Sequence, residues 1–260
     1  MNLVKETGDR RGLARLYAGK AKYASRWKTA KPTETAYQLA DEYYRYAARR
    51  DLGLSPTQDI VLPRQCGACG RAVAADGLHG QRCIYRSKLT TLRHNSIEKL
   101  LHDTVRDGIG HAYRQERNLP AADRTVPDLV IYLDGKLFLC DVTVVDPLAD
   151  THLSVSATGS GKLANKAAEA KVAKYRNTEV AMGAVHLPFA IEATGGLSES
   201  AQRLIREVHH SAQQHCTWRE ADVIDSHLVD SIAMAVQRWS GMALRASLQE
   251  ERRVALGAEA

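Results

Sequence analysis

At 260 residues, with 44% hydrophobic and 25% charged residues, the chain has the composition of an ordinary globular protein. No apolar run approaches the roughly 18–20 residues of a membrane span, and the polar, basic N-terminus has no apolar signal core. The five cysteines, an odd number, are not typical of a disulfide framework, so we expect a reducing, intracellular location. We expect no membrane partner.

The positive charge is concentrated at the start of the chain. Residues 1–50 hold 12 Lys+Arg and 5 Asp+Glu, a net charge of +7, whereas the remaining 210 residues hold 24 and 25, a net charge of −1. Seven of the 15 aromatic residues also lie in residues 1–50. Basic side chains interleaved with aromatic rings suit a nucleic-acid backbone and its bases. The alternative is a basic helical extension whose aromatic rings pack inward, and both interpretations stay open.

Hydrophobic periodicity and turn residues predict alternating helices and strands. Residues 1–30 have a mixed helical pattern, and Pro32-Thr33 interrupts the chain with Thr33 as a candidate N-cap. Helices are predicted over 34–51, 90–108, 162–177, 198–215 and 219–256. Strands are predicted over 111–118 and 184–194, a hairpin over 128–145, and loops over 55–65 and 146–161. This order predicts an α/β (α+β) fold, with a mixed sheet and helices on both of its faces.

The hairpin has the most specific local signal in the chain. Asp134-Gly135 separates two apolar runs and is typical of a type I′ turn, which needs positive φ at both central residues. A two-residue turn fixes the register, so Leu133 faces Lys136 and Leu129 faces Cys140. Both faces of the hairpin are otherwise apolar, as in strands covered on both sides. Cys140 is expected to be a buried hydrophobic residue.

The same register places Asp128 directly opposite Asp141. Opposed strand residues have Cβ atoms about 5 Å apart, so two carboxylates placed there repel each other. A bound divalent cation relieves that repulsion, and hard cations prefer oxygen ligands. The pair therefore predicts a Mg²⁺ or Mn²⁺ site at the end of the hairpin. The alternative is two solvated aspartates at the strand ends.

A second metal signal precedes the hairpin. Cys66, Cys69, His79 and Cys83 form the spacing C-x2-C-x9-H-x3-C. Zinc is bound by four such ligands in a tetrahedron, and the segment has too few apolar residues to fold unaided. Four protein ligands leave no open coordination position, so we predict structural rather than catalytic Zn²⁺. The alternative is three unrelated thiols and a loop histidine.

The predicted helix 162–177 carries candidate catalytic cations. The third position of Asp141-Val142-Thr143 is a threonine, which cannot supply a positive charge beside the two carboxylates, so such a charge must come from elsewhere. Lys171, Lys174 and Tyr175 lie three and four residues apart and share one helix face. The alternative is a solvated face of an Ala-rich helix.

In this order, the motifs resemble a known family. They are the Cys66/Cys69/His79/Cys83 cluster, Arg93-His94-Asn95, Glu116, Pro127-Asp128, Asp141-Val142-Thr143, Glu169-x-Lys171-x-x-Lys174-Tyr175 and Ile191-Glu192-x-x-Gly195-Gly196. From about Tyr37 to Val208 the chain resembles the restriction-like endonuclease region at the C-terminal end of site-specific non-LTR retrotransposon proteins. This is a PD-(D/E)XK nuclease with a displaced lysine, which fits the threonine at position 143. The chain has no paired-aspartate polymerase motif, so we expect a stand-alone fragment, a remnant or a domesticated descendant.

The resemblance implies a PD-(D/E)XK core and hydrolysis of DNA phosphodiester bonds. Asp128 and Asp141 would bind the metal, with the Val142 carbonyl as a further ligand, and Lys171 or Lys174 would stabilise charge on phosphorus. Tyr175 belongs to the same motif, and Glu116 and Glu98 would be outer ligands or positioning residues. Arg93 and His94, expected at a helix start, would contact phosphate. The alternative for Arg93-His94-Asn95 is a capping cluster.

Four regions follow from these motifs. They are a basic helical region 1–60, the zinc knuckle 61–90, the endonuclease core 91–212 and a helical extension 213–260. The expected partner is DNA, with RNA as a second candidate for the basic region, and the expected location is nuclear or otherwise intracellular. Two other functions stay open: an inactive zinc-containing nucleic-acid-binding module, and a resolvase or repair nuclease that acts on branched DNA. The sequence sets no oligomeric state.

Overall fold

The structure, a computed structural model, describes residues 8–31, 35–55, 65–66, 69–73, 78–79, 83, 87–108, 111–114 and 126–257. Glu116 and the predicted N-cap Thr33 lie outside these residues, as do most of the predicted loop 55–65 and residues 115–118 of the predicted first strand. In the described part of the chain, no helix combines the length and apolar character that a membrane crossing requires.

Helices make up most of the described chain, and each strongly periodic segment forms one. The helices are α1 (Arg10–Lys20), α2 (Arg26–Thr29), α3 (Asp41–Leu52), α4 (Ser87–Gly108), α5 (Leu153–Ser156), α6 (Lys162–Met182), α7 (Glu199–His215) and α8 (Trp218–Gly257). The predicted helices in 90–108, 162–177, 198–215 and 219–256 are confirmed within a few residues. The helix predicted over 34–51 begins only at Asp41, after a short 3₁₀ turn at Thr35–Tyr37.

The strands form one mixed sheet with a break in its middle. They are β1 (His111–Arg114), β2 (Leu129–Leu133), β3 (Lys136–Cys140), β4 (Val142–Val145), β5 (Val185–His186) and β6 (Phe189–Glu192). The order is β1-β2-β3-β5, with β1-β2-β3 antiparallel and β5 parallel to β3, and β4 pairs parallel with β6. Asp141 alone separates β3 from β4, and hydrogen bonds from Leu187 N–H to Leu139 O and from Phe189 N–H to Asp141 O bridge the two parts.

Helices cover the sheet on two faces, as the element order predicts. On one face, Ile97, Leu101 and Val105 of α4 share a core with Phe138 and Cys140 and with α7 and α8. On the other face, α6 packs against β4, β5 and β6. The mixed α/β class and the helices on both faces are therefore confirmed.

Two expectations for individual strands are corrected. The hairpin is not covered on both sides: Leu129, Ile131 and Leu133 are buried, but Tyr132 on the opposite face is 46% exposed. The cause is that α6 crosses β4–β6 and leaves the outer face of β2 open. The single strand predicted over 184–194 is split at Leu187-Pro188, because proline has no N–H for the ladder.

The N-terminal region and the long tail helix pack on each other and on the core. Trp27 and Ala47 form a small cluster with Ala233 and Met234 of α8. Several basic residues of the region form ion pairs with acids within the chain: Arg11 with Asp150, Arg26 with Asp230, and Lys28 and Arg50 with Asp51. Because Trp27 is buried and these cations are paired, this region has a packing role, and less of its charge is open to a nucleic acid.

The turn between α1 and α2 lies against Gly195-Gly196 of the loop that follows β6. Leu197 N–H donates to Lys22 O at 3.2 Å. Gly195 has φ +100°, which favours glycine, and a Cβ on Gly196 would lie 2.5 Å from the Cβ of Ala21. The glycine pair is therefore required by a close approach of the backbone.

Candidate functional site

The hairpin that carries the acidic pair, Asp128 and Asp141, forms as the sequence predicts. Asp134 and Gly135 have φ of 47° and 80°, and the ladder runs from Leu133↔Lys136 to Leu129↔Cys140. Asp128 and Asp141 are the next residue on each strand. Cys140 is fully buried beside them, as expected, and burial, with Asp128 and Asp141 adding to it, raises the pKa of its thiol well above the usual value.

Asp128 is the more open member of the acidic pair. Its side chain is 24% exposed, and Oδ2 accepts the Val142 N–H at 2.7 Å. The same oxygen lies 3.3 Å from His94 Nε2 on α4. The hydrogen bond to Asp128 raises the pKa of His94, burial opposes this, and the charges of Asp128, Glu98 and Asp141 raise it further. His94 is thus a partner of the acidic pair itself.

Asp141 is buried, with its side chain 5% exposed, and Lys171 of α6 forms an ion pair with its Oδ1. Lys174, one turn later, is exposed and lies 4.9 Å from the Tyr175 ring centroid. Helix periodicity does not tell which of these two lysines contacts the acidic pair. The way in which α6 crosses the sheet places Lys171 there. The arrangement favours Lys171 as the cation of the acidic pair.

Tyr175 has a buried position behind the acidic pair. It is 1% exposed, its ring lies 4.7 Å from the His186 ring, and its hydroxyl donates to Val126 O at 2.9 Å. Val126 precedes Pro127-Asp128, so the hydroxyl holds the segment that delivers Asp128. Tyr175 therefore supports the acidic pair through the segment that leads to Asp128.

The other predicted residues lie at varying distances from the pair. Glu98 is close enough to affect the pKa of both His94 and Cys140. Glu169 faces a groove between α5, α6 and α7 instead. Arg93 does not lie at a helix start, because α4 begins at Ser87, and its side chain is buried and donates to Ser240 Oγ of α8. Thr143 lines the same cavity as Arg93.

The donor set of the acidic pair fits a hard divalent cation. The two carboxylates belong to residues that directly follow the opposed pair Leu129↔Cys140, and oxygen ligands of this kind suit Mg²⁺ and Mn²⁺. Two basic side chains, Lys171 and His94, each contact one of the carboxylates. Lys171, which lies beside the carboxylates, can also bring a positive charge close to a phosphate.

Residues Cys66, Cys69, His79 and Cys83 form a compact metal-binding group, the zinc knuckle. Their ligand atoms all lie within 4.8 Å of one another. The Cys66 and Cys83 Sγ atoms are 4.0 Å apart, close to the edge of about 3.8 Å that a tetrahedron with Zn–S bonds of about 2.3 Å requires. Cys69 Sγ lies 3.2 Å from His79 Nε2. The group can bind a metal such as zinc.

Backbone hydrogen bonds prepare this ligand geometry. Gly70 N–H donates to Cys66 O and Cys66 N–H to Arg71 O, both at 2.8 Å, and Gly70 has φ +69°. The turn brings Cys69 back toward Cys66. Leu78, next to His79, packs with Ala14 of α1 and Leu148, which attaches the knuckle to the rest of the protein.

Sequence reasoning missed two features of the acidic site. The contact of His94 with Asp128 depends on how α4 docks at the end of β2, and no periodicity gives that. The buried environment of Arg93 depends on α8, which follows it by more than a hundred residues. No protein-family model matches the chain, and a search of curated proteins finds no match to its sequence.

Proposed function

We propose that the protein is a metal-dependent endonuclease that hydrolyses DNA phosphodiester bonds on a restriction-like, PD-(D/E)XK-type core. The observation that carries this proposal is the meeting of Asp128, Asp141 and Lys171, which come from two strands and a helix separated in sequence. Two acids and a lysine at one strand end are what the displaced-lysine motif requires. The resemblance to the nuclease region of site-specific non-LTR retrotransposon proteins supports the same conclusion.

In this proposal, Asp128 and Asp141 hold Mg²⁺ or Mn²⁺, with the Val142 carbonyl as a further oxygen ligand. The ion, when bound, polarises the phosphate and lowers the pKa of the attacking water. The Val142 N–H orients the Asp128 carboxylate. Lys171 brings a positive charge to the developing charge on phosphorus. Tyr175 keeps Asp128 in place through the Val126 carbonyl.

The zinc knuckle has a structural role in this proposal. All four ligand positions come from the protein, so no open position is left for a substrate or a water. The bound Zn²⁺ holds a segment whose own apolar contacts are few, while Leu78 anchors it to α1 and Leu148. DNA is the proposed partner. RNA is a weaker candidate, because much of the basic N-terminal charge is paired within the chain.

Incubation of purified protein with supercoiled plasmid and Mg²⁺ or Mn²⁺ tests the activity. We expect nicked or linear product from wild type, and a rate lower by about 10³ for Asp141→Asn, because removing a metal ligand removes several kcal/mol of transition-state stabilisation. Asp134→Asn is the matched control. It changes the same residue type at the tip of the same hairpin, and asparagine tolerates the positive φ there.

Two results would redirect the proposal. If wild type binds DNA but never cuts it with any divalent ion, the protein is an inactive zinc-containing binding module. If it cuts flapped or four-way DNA much faster than linear DNA of equal length, it is a resolvase or repair nuclease with the same core. Equal cleavage by wild type and Asp141→Asn would show that the acidic pair is not the active site.

A further inference from the structure

Arg93 is a buried cation with few partners among the residues that the structure describes. It is 9% exposed, and its Nη1 donates a hydrogen bond to the neutral Ser240 Oγ at 3.2 Å. Its Nε has no hydrogen-bond partner among the described residues. Burial lowers the pKa of Arg93, Asp146 opposes this, and the buried Arg50 adds to it. Among the described residues no carboxylate forms an ion pair with Arg93, so a buried positive charge is left poorly compensated.

The side chain of Arg93 lines a cavity of about 330 Å³ between α4 and β4, the α4–β4 cavity. Thr90, Thr91 and His94 line it from α4, and Val142 and Thr143 contribute from β4. Three hydroxyls, an imidazole and a guanidinium are all groups that donate hydrogen bonds to an anion. No acidic side chain lines the cavity in the described part of the chain.

The backbone of β4 adds a donor to this cavity. In a strand, alternate residues direct their N–H and C=O groups to the same edge. The Asp141 and Val145 carbonyls accept hydrogen bonds from Phe189 and Ala193, on the β6 side, whereas the Val142 N–H donates to Asp128 on the other side. Val144 therefore directs its N–H to the same edge as Val142, where it borders the cavity.

The cavity adjoins the acidic pair. His94 lines it and contacts Asp128, and Val142 lines it and follows Asp141 directly. A nucleic-acid strand with one phosphate at the acidic pair would bring its next phosphate toward this cavity, since successive phosphates of a strand are separated by one sugar and advance only about 3.4 Å along the helix axis. The cavity also has room for the sugar attached to such a phosphate.

We propose that the α4–β4 cavity binds the phosphate group next to the one that is cut, with Arg93 as its buried cation. Thr91 and the Val144 N–H complete the set of donors. That the phosphate belongs to a nucleic-acid strand rests on the proposed function. The binding itself does not, because it needs neither a metal nor cleavage.

The test measures binding of a labelled thymidine pentanucleotide by fluorescence anisotropy, without divalent metal and at fixed low salt. We expect Arg93→Gln to weaken binding about tenfold or more, since hydrogen bonds between charged groups are the strong ones. Thr91→Val should weaken it about threefold. Arg50→Gln, which changes another buried arginine that does not line the cavity, should stay within about twofold of wild type. Inorganic phosphate should displace the pentanucleotide from wild type.

A pentanucleotide with neutral methylphosphonate linkages isolates the phosphate contact. Wild type and Arg93→Gln should bind it equally. Equal affinity of both proteins for the charged pentanucleotide would overturn the proposal, as would a failure of inorganic phosphate to compete. If Arg93→Gln does not fold, as judged by circular dichroism, Thr91→Val and Arg93→Lys decide, and wild-type affinity in both would overturn the proposal.

The same measurements separate this inference from the nuclease proposal. If binding of the pentanucleotide depends on Arg93 but the protein never cuts DNA, the cavity proposal is supported and the nuclease proposal is wrong. If the protein cleaves plasmid but its affinity for the pentanucleotide does not change in the Arg93 and Thr91 variants, the nuclease proposal is supported and the cavity proposal is wrong.

Discussion

The zinc knuckle and the acidic pair are both candidate metal centres, but they are built in opposite ways. The knuckle gathers four ligands from one short segment, and Leu78 ties it to Ala14 of α1 and to Leu148. The acidic pair lies at the end of a hairpin whose core residues are buried, and Lys171 and His94 already contact its carboxylates. Under the proposed function, a metal at the knuckle would contribute to folding, whereas a metal at the acidic pair would contribute to chemistry.

Removal of zinc should have the largest effect and should act on folding. Freshly purified protein should contain about one zinc per chain, and the loss of structural zinc costs on the order of 10 kcal/mol of binding free energy coupled to folding. Elemental analysis and limited proteolysis of residues 61–90 before and after chelation measure this. Cys69→Ser should behave like chelated protein, and Cys216→Ser, outside the cluster, should not. If protein purified without zinc resists proteolysis as well as zinc-containing protein does, the result would contradict the comparison.

Loss of Lys171 should act on chemistry and leave the fold nearly intact. Charge stabilisation of this kind is worth about 3–4 kcal/mol, so Lys171→Ala should reduce plasmid cleavage by about 10²–10³. Lys174→Ala, a matched change one turn away on an exposed side chain, should cleave within about twofold of wild type. Initial rates with Mg²⁺ or Mn²⁺ measure both.

A larger loss of cleavage rate in Lys174→Ala than in Lys171→Ala would show that Lys174 is the catalytic cation. Wild-type rates in both single variants and in the double variant would remove the lysine from the mechanism. A lowered melting temperature for Lys171→Ala without a change in rate would make the ion pair with Asp141 purely structural.

Acid should stabilise the core through Glu192, independently of either metal. Burial raises the pKa of Glu192 to about 7 from the usual 4.5, although the Ala164 N–H opposes this in part. A carboxyl with a raised pKa contributes stability that is fully present below pH 4.5 and is lost as the pH rises through 7, by about 3 kcal/mol. Denaturant unfolding between pH 4.5 and 8 should show this slope, and Glu192→Gln should flatten it. Glu169→Gln, on an exposed carboxylate, should leave the slope unchanged.

The smallest expected effect concerns Tyr175. Tyr175→Phe removes the hydrogen bond to Val126 O, which should cost about 1 kcal/mol of stability. Cleavage should fall less than tenfold, because Asp128 keeps its bond from Val142 N–H. Urea unfolding measures the change in stability, and plasmid cleavage measures the change in rate. A loss as large as that of Asp141→Asn would assign Tyr175 a direct chemical role.

The sequence predicted the acidic site best where the interactions are local. Asp134-Gly135 sets the hairpin register, so the positions of Asp128 and Asp141 followed from the turn alone. The knuckle was equally predictable, since its ligand spacing is local and its ligand atoms do converge. The PD-(D/E)XK assignment and the catalytic roles stay predictions.

Features that depend on distant packing were not predictable from patterns. Lys171 and Lys174 differ only in how α6 crosses the sheet, and the burial of Arg93 depends on Ser240 of α8. The late start of the helix at Asp41 reflects how residues 35–40 pack on α8, where Arg238 bonds Thr35 O and Gln38 O. A single sequence contains these contacts only implicitly, because tertiary packing overrides local propensity.

The close approach of Ala21 to Gly196 sets the minimum size of an independently folding fragment. The proposed resemblance to nuclease regions begins only near Tyr37, yet residues 21–24 cover Gly195-Gly196 and accept the Leu197 N–H. A fragment cut at the start of that likeness would uncover the loop between β6 and α7 and leave a backbone donor without its acceptor. Anyone who grafts this core onto another protein must therefore carry residues 21–24 with it, or redesign the loop that they cover.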